Sequence, residues 1–125
     1  MHRTAQFETA QPEEWTFDAN QNPIVPGGEG LARKLRAGAE RAAMTVTTLS
    51  QHSYYGWRFE VSCEGITFEC VLNAVSEECA LTISTASILS SLLRPRRTRR
   101  ALAACERMFD ALLRQLQEIS SLTWS

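Results

Sequence analysis

From Tyr55 to Cys63 apolar and polar side chains alternate: Tyr55, Trp57, Phe59, Val61 and Cys63 hold one set of positions, Gly56, Arg58, Glu60 and Ser62 the other. Successive side chains of a strand point to opposite faces, so this run predicts a strand with one buried and one open face. Glu64-Gly65 is a two-residue turn of the kind that closes hairpins, and beyond it Ile66, Phe68, Cys70 and Leu72 alternate with Thr67, Glu69, Val71 and Asn73. Closing the hairpin there sets Cys63 opposite Ile66, Val61 opposite Phe68, Phe59 opposite Cys70 and Trp57 opposite Leu72, all on one face. A slip of one residue would turn one strand's apolar set to water, so the pattern specifies the register. On the outer face Glu60 meets Glu69, a like-charge pair that Arg58 is placed to relieve.

Around this hairpin the spacing changes twice. Behind Pro26-Gly27-Gly28, Leu31, Leu35, Ala39 and Ala42 recur at helical intervals and predict an amphipathic helix over 28–43, with Gly38 in it as a mark of close packing on a sheet. A weaker strand, Thr45 to Gln51, leads into the hairpin. After Ser76-Glu77-Glu78, Cys79, Leu81 and Ile83 give a further antiparallel strand. Ile88, Leu89, Leu92 and Leu93 then suggest a short helix closed by Pro95. From Thr98 as N-cap, Leu102, Cys105, Phe109, Leu112, Leu116 and Ile119 mark a long helix of about 22 residues whose stripe covers the sheet. Residues 1–25 read as an arm, with Trp15 and Phe17 forming an edge strand against Ile24-Val25 across a turn. The expectation is an α+β fold over residues 26–125: an antiparallel sheet of three to five strands between an N-terminal helix and a long C-terminal helix, in the order α-β-β-β-β-α.

Composition adds mainly exclusions. The chain has 125 residues, 44% hydrophobic and 22% charged, with a formal net charge of -1, as expected for one globular core without an overall basic field. The longest uncharged stretch, Cys79 to Leu93, is too short and too rich in Ser and Thr to span a bilayer, and the N-terminus lacks the apolar run of a signal peptide, so no membrane contact and a cytoplasmic location are expected. Cys63, Cys70, Cys79 and Cys105 form no C-x-x-C pair and lie far in sequence from His2 and His52. They read as reduced core thiols, with no metal site expected.

Candidate chemistry is sparse. Arg94, Arg96, Arg97, Arg99 and Arg100 place five arginines in seven residues where the long helix opens, against the helix dipole, which favours anions there. They suit a phosphate, RNA or an acidic protein surface; alternatively they form a solvated connector paired with Glu77, Glu78 or Glu106. Pro26-Gly27-Gly28-Glu29-Gly30 matches no phosphate-binding motif and reads as a loop-to-helix junction. His52 has no nucleophile motif beside it, and Glu60 and Glu69 share an open face without a cleft. No catalytic residue and no cofactor are therefore expected. Tyr54 near Arg58 completes the residues placed to touch a partner.

Pro26-Gly27-Gly28, the run Tyr55-Gly56-Trp57-Arg58-Phe59-Glu60-Val61 and the closing Ile119-Ser120-Ser121-Leu122-Thr123-Trp124 together resemble a group of small bacterial proteins of unknown function. The resemblance covers residues 26–124 and implies a helix-sheet-helix unit without an active site. An αβββα order with basic residues opening the last helix is also similar to the double-stranded-RNA-binding domain, but the extra strand, the near-neutral charge and the absence of that domain's basic, glycine-rich pattern count against it. The leading expectation is a non-enzymatic bacterial binding protein of the immunity-protein, secretion-chaperone or adaptor kind. It would act through its open sheet face or the arginine connector on a protein partner, an acidic one or a second copy in a homodimer. A nucleic-acid-binding module using Arg94 to Arg100 is the alternative, and a small enzyme of unknown class comes third.

Overall fold

The structure is a computed structural model that describes residues 1–13, 15–21, 23–52 and 56–125. Tyr54 and Tyr55 lie outside the described residues. In chain order the elements are β1 (His2–Thr9), β2 (Thr16–Phe17), β3 (Pro23–Val25), α1 (Glu29–Arg41), β4 (Thr45–Val46), β5 (Ser50–His52), β6 (Gly56–Cys63), β7 (Ile66–Val75), β8 (Glu78–Thr85), α2 (Ile88–Leu93), α3 (Pro95–Gln115) and β9 (Ile119–Trp124). The hairpin of β6 and β7 has the register its alternation dictates, with Cys63 against Ile66, Val61 against Phe68, Phe59 against Cys70 and Trp57 against Leu72. Glu64 and Gly65 carry it through positive φ angles of 53° and 78°.

The fold is α+β, as expected, but the sheet is larger. Seven strands run in the order β4-β6-β7-β8-β1-β9, with β5 also paired to β6, and β2 and β3 form a separate two-stranded ribbon. The expected α-β-β-β-β-α layout differs in three ways: the strand expected over Thr45 to Gln51 is two short strands, β4 and β5, both paired to β6; the short helix α2 stands before α3; and two further strands join the sheet. The first residues, expected as part of a loose arm, form β1, which lies between β8 and β9 and pairs antiparallel with both. Its alternation is real, with Ala5, Phe7 and Thr9 buried and Gln6 and Glu8 exposed, but two of those inward side chains are too small or polar to register as a hydrophobic signal.

The other unexpected strand is β9, which begins at Ile119, the residue expected to end the stripe of the long helix. Gln6 pairs with Thr123 and Glu8 with Ser120, so Ser121 and Leu122 together oppose Phe7. This is a β-bulge, and Ser121 takes a positive φ of 56° within it. The extra residue turns the strand's period of two into a step of three from Ile119 to Leu122, which in sequence looks like helix.

The inward face of the sheet, with Phe59, Val61, Phe68, Leu72, Leu81 and Ile83, is covered by Leu31 and Leu35 of α1 and by Leu102, Cys105, Phe109 and Leu113 of α3. α3 begins at Pro95 rather than at Thr98. Proline fits the first helical position because no N–H is required there, and Thr98 is a fully buried residue inside the first turns. Gly38 marks close packing, but of α1 on α3: a β-carbon there would lie 2.6 Å from Leu112 Cδ1. Among the described residues no helix is long and apolar enough to cross a membrane.

Asp110 on α3 anchors the last strand, accepting a hydrogen bond from Trp124 Nε1 at 3.0 Å and pairing with Arg114 at 3.0 Å. The Arg114 hydrogen bond holds its carboxyl below the ordinary value, aided by the indole. A lowered folded pKa means that the charge of Asp110 adds stability above the unfolded carboxylate value, and that this contribution is lost as pH falls through the lower folded value. Asp110→Asn is expected to cost about 1 kcal/mol at neutral pH. Urea midpoints of the two proteins measured against pH check this, the gap closing in strong acid.

Candidate functional site

The short helix α2 is amphipathic the wrong way round. Ile88, Leu89, Leu92 and Leu93 stand 74%, 59%, 68% and 75% exposed, while Ser90 and Ser91 between them are half-buried. Polar contacts hold the helix in this orientation. Thr98 Oγ1 donates to the Ser90 carbonyl at 2.9 Å, Ser91 Oγ lies 3.5 Å from Thr85 Oγ1, and the Ala86 N–H donates to the Thr67 carbonyl at 3.0 Å. Each aliphatic side chain would gain about 1.5–3 kcal/mol on passing from full exposure to full burial, so four left outward together form a surface out of keeping with solvent contact alone.

The arginine run continues from this patch. Arg94 caps the C-terminus of α2 and stands at the N-terminus of α3, whose first turn contains Arg96 and Arg97 and no acidic residue. Arg99 and Arg100 follow in the next turn, and all five arginines are exposed. The expected pairing with Glu77, Glu78 or Glu106 does not form. Glu106 is taken by Arg3, which donates to both its oxygens at 2.9 and 3.1 Å, and Glu77 and Glu78 lie at the opposite end of β8 from α2. Instead Arg97 Nε donates to the Glu64 carbonyl at 3.0 Å, and Arg100 reaches the Glu64 carboxylate at 3.7 Å. Arg94, Arg96 and Arg99 make no ion pair among the described residues.

The remaining candidates fall elsewhere. Arg58 is on the open face of the sheet, the side opposite α3, between Glu69 at 2.8 Å and Glu60 at 3.2 Å. The Glu69 hydrogen bond raises its pKa, and the contact relieves the Glu60–Glu69 opposition read from the register. That face is polar and largely satisfies itself, through Ser62 with Thr67 at 3.0 Å and Thr4 with Thr82 at 3.4 Å. A shallow groove of about 490 Å³ crosses it between Gln6, Asn73, Glu78 and Ser121, remote from α2. His52 is half-buried on β5 opposite Gly56.

The glycine junction is filled from within the chain. Glu13 accepts hydrogen bonds from the Gly30 and Leu31 N–H groups at 3.1 and 3.2 Å, so a carboxylate already occupies the N-terminus of α1. A β-carbon on Gly27 would lie 2.2 Å from the Glu13 carbonyl oxygen, and Gly28 caps α1 at φ 94°, which explains the two adjacent glycines. The sequence pointed to the arginines but missed Ile88, Leu89, Leu92 and Leu93 as a surface. Helical spacing shows that four residues share a face without showing which way it points; the only clue was their position directly before the charge run.

Cys70, Cys79 and Cys105 are buried and Cys63 is half-buried. Burial pushes the Cys79 thiol up to about 11, and raises Cys63 and Cys70 as well. Neutral, enclosed thiols react slowly. Alkylation of the native protein at mildly alkaline pH is expected to modify Cys63 first and to reach the other three only after denaturant is added, as read by mass spectrometry. Comparison with known proteins finds no family model and no curated sequence that matches this chain.

Proposed function

We propose that this chain is a non-enzymatic binding protein, of the adaptor, immunity-protein or secretion-chaperone kind, that works by protein–protein contact through α2 and the arginines behind it. The observation that carries this reading is the inverted helix: four aliphatic side chains face outward while its serines face in. Contact surfaces draw their strength from a few apolar anchors ringed by polar groups, and the arginines supply such a rim on one side.

A nucleic-acid reading draws on the same exposed arginines. It gains less from the site, because phosphates leave the aliphatic patch uncovered and no aromatic residue lies between Ala86 and Arg100 for a base to stack on.

The test is Leu89→Ser combined with Leu92→Ser. Both leucines are exposed, so the fold is expected to keep its stability within about 0.5 kcal/mol per site. The wild-type chain, cross-linked in native lysate, is expected to form a discrete complex with a protein that the double variant loses. A wild-type chain that forms no complex, or a variant that forms the same one, would oppose the proposal.

A further inference from the structure

Given the contact surface proposed above, on which this inference rests, we propose that its occupant is an amphipathic helix of a protein partner, apolar along one stripe and acidic beside it. The shape of the apolar patch supports this. Ile88, Leu89, Leu92 and Leu93 occupy positions i, i+1, i+4 and i+5 of a six-residue helix, two adjacent i, i+4 rows that together make an apolar strip about 9 Å long. A strip of that kind packs into the groove of a second helix, which reads it through residues three and four apart.

The charges define the rest of the partner. Arg97 and Arg100 are engaged with Glu64, which leaves Arg94, Arg96 and Arg99, the residues that follow the apolar patch in the chain, exposed and without a carboxylate among the described residues. α3 itself opens with no side-chain cap and no acidic residue in its first turn. Both features favour carboxylates, and guanidinium groups hold them in paired hydrogen bonds. A partner helix whose leucines cover the strip would set its glutamates or aspartates over these three arginines.

Other occupants fit less well. A second copy docked patch to patch would bring two sets of five arginines together, and like charges that close oppose association. A membrane surface would take the basic residues, but membrane-binding helices are long and commonly anchored by Trp or Phe, whereas α2 has six residues and no aromatic one.

Binding can be read by fluorescence anisotropy with the intact chain and a synthetic helical peptide with a leucine stripe and a glutamate rim. The same peptide with lysines replacing the glutamates, phosphatidylserine vesicles and a single-stranded RNA are the alternative probes. The glutamate peptide is expected to bind, to weaken as salt is raised, and to lose about tenfold in affinity with Arg94→Gln, Arg96→Gln and Arg99→Gln combined, and again with the Leu89→Ser, Leu92→Ser pair. Equal binding of the lysine peptide, indifference to the arginine changes, or retention on vesicles or RNA with no binding to the glutamate peptide would overturn the inference. If the leucine variant loses its complex in lysate while the glutamate peptide fails to bind, the acidic helix falls and the protein-contact reading stands. If both fail, both fall.

Discussion

Phe59 in the middle of β6 and Phe109 in the middle of α3 meet edge to face, their ring centroids 6.2 Å apart and both side chains fully buried. Aromatic contacts of this geometry add to the free energy of burial itself, and this one joins the sheet to its longest helix. It is possible only because the hairpin register places every aromatic side chain of β6 and β7, together with Val61, Ile66 and Leu72, on one face. With the other face left to Arg58, Glu60, Glu69 and a field of threonines and serines, both long helices must share the single face that can leave water.

That constraint reaches the surface. To lay Leu102, Cys105, Phe109 and Leu113 against the sheet, α3 also buries Thr98 and Ala101 near its start, and the arginines interleaved with them must point away. The buried Thr98 hydroxyl finds its acceptor in the Ser90 carbonyl. A bond that satisfies a buried polar group thereby holds α2 with its serines toward the protein. The outward aliphatic patch and the exposed arginines thus share one structural origin. The core determines where they stand, while nothing in the core requires Ile88, Leu89, Leu92 and Leu93 to be apolar.

How much of this could be read from the sequence depended on how regular each element is. The β6–β7 hairpin was legible pair by pair because large side chains alternate without interruption and the turn residues match. The Thr16–Phe17 and Pro23–Val25 ribbon was legible from its turn. β1 was not, because Ala5 and Thr9 carry little hydrophobic weight and the strand gains its place by pairing on both sides. β9 was hidden by a bulge that gives it a helical interval. Thr98 looked like a cap because it precedes the apolar stripe, whereas Pro95 was free to start the helix. At the candidate site the charge was visible and the apolar half was not, since orientation is decided by what packs beneath a helix rather than by its own spacing.

On the proposed function α2, and not the open face of the sheet, is the surface that meets a protein partner. Site-specific photo-crosslinking in living cells tests it most directly, with a photoreactive amino acid placed in turn at Leu92 on α2 and at Thr82 on the open face. A discrete protein adduct is expected from position 92, disappearing when Leu89 is changed to serine, and none from position 82. An adduct from position 82 with none from position 92 would contradict it.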